Sequence, residues 1–252
     1  MKIVLLGHED IASLYALDCL IHRCPGHAFT VFWSGAMAPR KAPAPALEAL
    51  DVIDRSLFDR YLERPETAAA LKRASIIASP NEPDGLDTLA RARPDLVVSV
   101  RYRRILKEDA IAIPALGVIN LHSGILPDYR GVMATFWAML AGEQEIGTTL
   151  HTIVDAGIDT GPVISIHRQP VDYSMTYLFN LLAMYAPGAA QIAQAIDEID
   201  QNGTVQAINQ RLDAGRYYGP PAETDAQKFL NTGLTLADGE ESRIFRTFVR
   251  NS

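Results

Sequence analysis

The chain has 252 residues, 48% of them hydrophobic and 21% charged, which is ordinary for one globular domain or a domain with an appendage. Its formal net charge of -7 argues against a broad nucleic-acid or anionic-membrane surface, and its 2 cysteines, Cys19 and Cys24, are too few for a disulfide framework. No run reaches membrane-spanning length and the start lacks a signal-peptide pattern, so the expectation is a reduced, cytoplasmic protein.

In chain order, Lys2 to Gly7 reads as a short apolar strand, and His8-Glu9-Asp10 can cap a helix from Ile11 to about His22. A strand is predicted at about Phe29 to Ser34, and the Pro- and Gly-rich stretch from Gly35 to Pro45 reads as a loop. Helices follow near Ala46 to Asp54 and Glu66 to Arg73, then a strand at Ser75 to Ala78, a helix at Asp84 to Arg93 and a strand at Asp95 to Val100. Leu116 to Leu121 is an apolar, β-branched run bounded by Pro114 and by Ser123-Gly124, the pattern of a buried strand. A helix at Met133 to Ala141, a strand at Thr148 to Val154, a Gly-punctuated loop at Asp155 to Gly161 and a strand at Pro162 to His167 come next. From about Met175 to Ile199 the periodicity predicts one long helix, kinked or interrupted at Pro187-Gly188. This alternation predicts an α/β, Rossmann-like, doubly wound and mostly parallel sheet with right-handed crossovers. Composition changes after Asn202-Gly203, which divides the chain into a catalytic domain, 1–200, and a C-terminal appendage, 201–252, acidic around Asp238 to Glu241.

The chemistry-bearing residues gather in two short segments. Asn120 and His122 lie two apart at the carboxyl end of a predicted strand, so their side chains share a face where open α/β sheets bind ligands. A lone histidine beside an apolar run is commonly a satisfied core residue, and Asn120 and His122 bonded to each other or to backbone is the bland alternative. Asp155 and Asp159 supply a carboxylate in the loop after the following strand. An amide, an imidazole and a carboxylate can polarise a carbonyl, hold an oxyanion and move a proton, which is the equipment of group transfer. Ser123 lacks a Gly-x-Ser-x-Gly setting, which argues against a serine hydrolase.

The ordered motifs Asn120-Leu-His122, Leu126-Pro-Asp-Tyr-Arg-Gly131 and Asp159-Thr-Gly161 resemble the catalytic core of the 10-formyltetrahydrofolate-dependent formyltransferases. That group includes the methionyl-tRNA, glycinamide ribonucleotide and nucleotide-sugar enzymes. The resemblance covers about Lys2 to Ile199 in layout and is specific from Asp95 to Ile166, although Gly147 to Asp159 is one residue longer than the usual pattern. It implies Asn120, His122 and Asp159 as catalytic residues, with Asn120 and His122 donating to the oxyanion and Asp159 orienting His122 and moving a proton. It implies further that Val100, Arg101, Tyr102, Ile105, Leu106, Val154, Asp155 and Gly157 face the cosubstrate 10-formyltetrahydrofolate, largely through main-chain groups, and that no metal is used. Tyr129 and Arg130 are the candidate contacts to the acceptor; Arg130 can equally pair with Asp128 or another carboxylate. Arg101, Arg103 and Arg104 read equally as ligand contacts or as a solvated charge run. His151 reads as structural, and Asp155 is the rival of Asp159.

The acceptor is expected to be a small amine, either a nucleotide-linked amino sugar or a siderophore-type hydroxylamine or amine, with no nucleic-acid or membrane partner and a homodimer as the assembly to test. Gly7-His8-Glu9-Asp10 offers acids where a ribonucleotide enzyme would offer a Gly-Ser-rich phosphate loop, and the tail lacks the basic character of the tRNA enzyme's extra domain. A 10-formyltetrahydrofolate hydrolase and a non-catalytic folate-binding module are the alternatives of other classes.

Overall fold

A computed structural model describes residues 1–35 and 45–238. The loop expected from Gly35 to Pro45 and the acidic stretch beyond Asp238 thus lie almost entirely outside the described residues. The first half alternates strand and helix: β1 Lys2–Gly7, α1 Ile11–Arg23, β2 Ala28–Trp33, α2 Pro45–Leu62, α3 Ala69–Lys72, β3 Ser75–Ile76, α4 Pro83–Arg91 and β4 Leu96–Val100. Then come α5 Glu108–Ile111, β5 Val118–His122, β6 Arg130–Gly131, α6 Ala134–Leu140, β7 Glu145–Thr152 and β8 Val163–Pro170. Helices α7 Tyr177–Ala183 and α8 Tyr185–Asn202, a 3-10 turn at Leu212–Ala214, β9 Tyr217–Tyr218 and α9 Glu223–Asn231 complete the chain.

Seven strands form one sheet in the order β3-β2-β1-β4-β5-β7-β8. Pairs β1–β2, β2–β3, β1–β4 and β4–β5 are parallel, whereas β7 runs antiparallel to both β5 and β8. The expected mostly parallel, doubly wound sheet is therefore present, with a reversed strand next to one edge. Strand order changes direction between β1 and β4, the crevice where such sheets take ligands. Each central strand alternates between two cores. Ile3, Leu5, Val98, Ile119 and Leu121 face a large cluster with α1 and α8, while Val4, Leu6, Val97 and Val118 face a smaller one with Tyr102 and Leu106. By the same period of two, Asn120 and His122 fall on the face of the smaller cluster, just past where it ends.

Several boundaries differ from the sequence reading, each for a local reason. Helix α2 continues past Asp54 because Leu50, Leu57, Phe58 and Tyr61 sustain one buried stripe to its end. The helix expected from Glu66 shrinks to Ala69–Lys72, since Thr67 Oγ1 instead donates to the Tyr61 carbonyl in a turn after Pro65. The single helix from Met175 divides at Met184, ahead of Pro187. The proline has no N–H for the Ala183 carbonyl and its ring crowds that oxygen, so the break falls a turn before it.

After Gly203, which ends α8 in the left-handed conformation, the chain returns across the molecule. Ile208 exchanges two backbone hydrogen bonds of 2.8 Å with Val163, and β9 pairs with β6. Phe229 is fully buried and stacks on Phe136 at 4.7 Å; Leu236 lies in the same large cluster. Residues 204–238 thus share the main core. Among the described residues no helix is long and apolar enough to cross a membrane.

Candidate active site

Strand β5 delivers Asn120 and His122, and its antiparallel neighbour β7 sets His151 directly opposite Asn120. Register between β7 and β8 breaks at Leu150/His151, a bulge of the kind that re-aims side chains beside sites. The loop after β7 then folds back so that Asp159 reaches all of this. Its Oδ2 lies 3.4 Å from His122 Nδ1 and its Oδ1 lies 3.5 Å from His151 Nε2. The Gly131 N–H donates to Oδ2 at 2.8 Å. Asn120 Nδ2 is 3.0 Å from His151 Nε2, and His151 Nδ1 is 2.9 Å from the Thr152 carbonyl oxygen.

Hydrogen-bond logic fixes which ring nitrogens carry protons. A carbonyl only accepts, so His122 Nε2, 2.6 Å from the Tyr129 oxygen, is the donor there. Its Nδ1 therefore meets Asp159 favourably only when it is protonated as well, and the pair is then an imidazolium facing a carboxylate. By the same reasoning His151 donates from Nδ1 to Thr152 and accepts from Asn120 through Nε2. One Asn120 N–H is engaged in this way; the other remains for a ligand. Burial alone would push the Asp159 carboxyl upward, but the His122 charge and the Gly131 N–H oppose it, and the carboxyl is lowered to about 2.

Gly124 makes room for this geometry. A Cβ there would sit 2.6 Å from Ala134 Cβ and 2.7 Å from both His122 Nε2 and the Tyr129 oxygen, across the bond that orients the imidazole.

The structure brings Asn120, His122 and Asp159 together and leaves Asp155 outside. Asp155 is exposed, and its Oδ1 caps the turn by accepting from the Gly157 N–H at 2.7 Å. Tyr129 reaches the site through its carbonyl, while its hydroxyl donates to Glu143 at 2.7 Å and its ring stacks on Tyr218 at 5.4 Å. The Arg130 N–H donates to the Arg216 carbonyl at 3.0 Å, and the buried Arg130 Nε has no hydrogen-bond partner among the described residues.

The folate candidates divide by environment. Val100 is buried and its carbonyl accepts from Ser13 Oγ at 2.9 Å; Leu106 is buried; Tyr102 turns inward and donates to the Ile77 carbonyl at 2.5 Å. Ile105 and Val154 are 50% and 60% exposed, so apolar surface is left open. Ile153 packs against the same small cluster that holds Tyr102 and Leu106. Arg101, at φ +57°, is largely withdrawn from solvent, with Nε 2.8 Å from Asp10 Oδ2 and Nη1 3.5 Å from the Tyr185 hydroxyl. Arg103 lies 3.7 Å from the same Asp10 oxygen, and Arg104 donates twice to the Ser34 carbonyl at 3.2 and 3.0 Å. Arg101 and Arg104 are thus engaged with the protein, while Arg103 remains exposed.

Two contacts at the site are not legible in the sequence. His151 bridges Asn120 and Asp159, a role visible only with the β5–β7 register. Gln210, fifty-one positions beyond Asp159, donates to the Asp159 carbonyl at 3.0 Å. Among the described residues there is no cluster of three or more His, Cys, Asp or Glu side chains able to hold a metal ion.

The family model for formyl transferases matches residues 62–178, which contain β4, β5, β7 and the Asp159 loop. Methionyl-tRNA formyltransferase of Ralstonia pickettii (strain 12J) is 33% identical over 145 residues, 57% of this chain and 43% of that protein. The chain therefore spans under half the length of this curated relative. Glycinamide ribonucleotide transformylase 1 from Symbiobacterium toebii shares the fold with a TM-score of 0.60 at 18% identity, over 83% of this chain and 95% of that one. An N-formyltransferase from Helicobacter canadensis in complex with folinic acid and dTDP-3-aminofucose has a TM-score of 0.55 at 17% identity, over 95% of this chain and 85% of that one. Residues 62–178 thus match the formyl transferase family model, and the fold built around them is the one these formyltransferase structures share.

Proposed function

We propose that this chain moves a formyl group from 10-formyltetrahydrofolate to the amine of a small molecule, with a nucleotide-linked amino sugar as the acceptor class to test first. The observation that carries the reading is one largely withdrawn carboxylate, Asp159, 3.4 Å from His122 and 3.5 Å from His151, beside Asn120, one N–H of which has no partner among the described residues. In the reaction a bond forms between the amine nitrogen and the formyl carbon, and the bond from that carbon to the folate nitrogen breaks. One proton must leave the amine, and one must reach the folate nitrogen.

The residues match those demands. The free Asn120 N–H is the donor for the developing oxyanion, an effect worth about 3 kcal/mol in acyl-transfer sites. Both His122 nitrogens already have partners, so His122 acts through its charge and by holding Asp159 rather than as a second free donor. Asp159 supplies a carboxylate that stays ionised at neutral pH and can receive the amine proton through a bridging water. No covalent intermediate with the protein is required. The open apolar surface of Ile105 and Val154, beside main chain at 100–106 and 154–158, suits a flat heterocycle such as a pterin. Folate supplies the activated formyl group.

The sugar reading draws on the Helicobacter canadensis protein, whose complex holds folinic acid and dTDP-3-aminofucose. A reducing, cytoplasmic setting and a homodimer belong to the same proposal. The test is to incubate the protein with 10-formyltetrahydrofolate alone and with amines: dTDP-amino sugars, N-hydroxylated diamines, glycinamide ribonucleotide and methionyl-tRNA. Formyl transfer to an amino sugar supports the reading in full, and transfer to another amine retains the reaction and replaces the acceptor. Turnover without any amine would make the chain a hydrolase; binding without turnover would make it a folate-binding module.

A further inference from the structure

Residues 204–221 cross the site as a strap, and we infer that Gln210 on this strap is a positioning residue for Asp159, an inference that rests on the formyl-transfer reading. Asp159 has φ +53°, a left-handed conformation that non-glycine residues seldom adopt and that needs outside support. Gln210 provides it. Its single Nε2 donates to the Asp159 carbonyl at 3.0 Å and to the Gly161 carbonyl at 2.6 Å, one on each side of Thr160. The opposite amide orientation would aim an oxygen at two carbonyl oxygens, so only the N–H groups can fill this place. Among the described residues the buried Gln210 Oε1 has no hydrogen-bond partner, so the orientation of the amide is set by those two carbonyls.

The strap also reaches the other end of Asp159. Its β9 pairs with Arg130–Gly131, and the Gly131 N–H is the backbone donor to Asp159 Oδ2. At Gly215 the backbone passes so close to Pro127 that any Cβ would overlap the Pro127 carbonyl. Main chain and carboxylate of Asp159 are therefore gripped by one segment that lies outside the matched family region, 62–178. Displacing the carboxylate by a fraction of an ångström alters its approach to His122, and misplacements near 1 Å can cost about a hundredfold in rate.

The experiment compares wild type with Gln210→Met, which keeps length and loses both donors, Gln210→Glu, which faces the carbonyls with oxygens, and Gln210→Lys, which restores an N–H donor. Gln210→Met is expected to lower kcat roughly tenfold or more with KM for folate and amine within about threefold. Gln210→Glu should be worse than Gln210→Met, and Gln210→Lys should recover most of the loss. The His122 ring-nitrogen chemical shifts at fixed pH give a readout independent of turnover. In Gln210→Met they should move toward those of Asp159→Asn, whereas a merely structural residue would leave them in place in the folded protein. Wild-type kcat in Gln210→Met, or His122 shifts unchanged from wild type, overturns the inference. If wild type itself transfers no formyl group, the proposed function fails, and the ring shifts alone decide whether Gln210 positions Asp159.

Discussion

Replacing Asp159 by Asn removes a charge while nearly preserving shape, and the structure bounds what that should cost. The carboxyl is lowered from 3.8 to about 2 in the folded protein. A shift of that size corresponds to about 2.5 kcal/mol favouring the ionised form. Because the folded value is depressed, the contribution is complete above the unfolded value, near 4, and disappears as pH falls toward 2. Asparagine can still accept from Gly131 through its own oxygen, so the expected destabilisation at pH 7 is about 1–2 kcal/mol rather than the whole amount. Activity should suffer more, because the proton acceptor and the partner of His122 vanish together; a positioned general base is worth about a hundredfold to ten-thousandfold. Asp155, which only caps a surface turn, is the internal control.

The assay is formyl transfer together with urea unfolding at pH 7 and pH 3 for wild type, Asp159→Asn and Asp155→Asn. Asp159→Asn should be folded, at least a hundredfold slower, and less destabilised relative to wild type at pH 3 than at pH 7. Asp155→Asn should stay within about fivefold of wild-type turnover. A larger effect at Asp155, or an Asp159→Asn enzyme near wild-type rate, would refute the assignment.

Gly124→Ala should lower turnover at least tenfold and stability by about 1–3 kcal/mol, because its Cβ would lie 2.7 Å from His122 Nε2 and from the Tyr129 oxygen; kinetics near wild type would show that the His122–Tyr129 bond is dispensable. Asp54 is pushed up to about 7 by burial and by the charge of Asp10, so ionising it costs stability as pH rises from near 4 through 7. Asp54→Asn should therefore raise Tm more at pH 8 than at pH 5, and the reverse order in thermal scans would contradict that sign. Phe229→Ala should cost about 3–5 kcal/mol in urea unfolding, since the ring is fully buried against Phe136; a loss below about 1 kcal/mol would mean that the segment after α8 folds apart from the sheet.

How much could be read from sequence depended on the range of the interaction. Strands such as Lys2–Gly7 and Val118–His122 declare themselves through composition and punctuation, and period two places Asn120 and His122 on one face. Asp159 stands out in the sequence through the Thr-Gly that follows it, and in the structure its carboxylate lies 3.4 Å from His122. His151 reads as structural from its place among the threonines of its strand, while its neighbour across the ladder depends on antiparallel register, which a single sequence does not specify. The same limit hid the partner of Arg101, ninety-one positions away in Asp10, and the grip of Gln210 on Asp159. The end of α2 was legible in principle, since its buried stripe runs on to Tyr61; the charged residues between Asp51 and Arg60 masked it.

The first βα junction bears on the acceptor for a reason that sequence supplied only in outline. Repulsion by Glu9 and Asp10 is the sequence-level argument against a phosphate there. In the structure Asp10 is not an open charge: it is buried and faces Arg101 at 2.8 Å and Arg103 at 3.7 Å. The stronger obstacle is that the head of α1 is already capped. The Ile11 N–H is taken by Asp54 Oδ2 at 3.3 Å, the Ser13 N–H by Asp10 Oδ1 at 2.8 Å and the Leu14 N–H by the Asp10 carbonyl at 3.1 Å. A phosphate bound at a helix N-terminus needs those same N–H groups, so it would have to displace a buried, ion-paired cap. A phosphate-bearing acceptor must then place its anion away from this turn. In a nucleotide-linked sugar the pyrophosphate is separated from the reacting amine by the sugar ring, so such an acceptor can present its amine to Asp159 without calling on the N-terminus of α1.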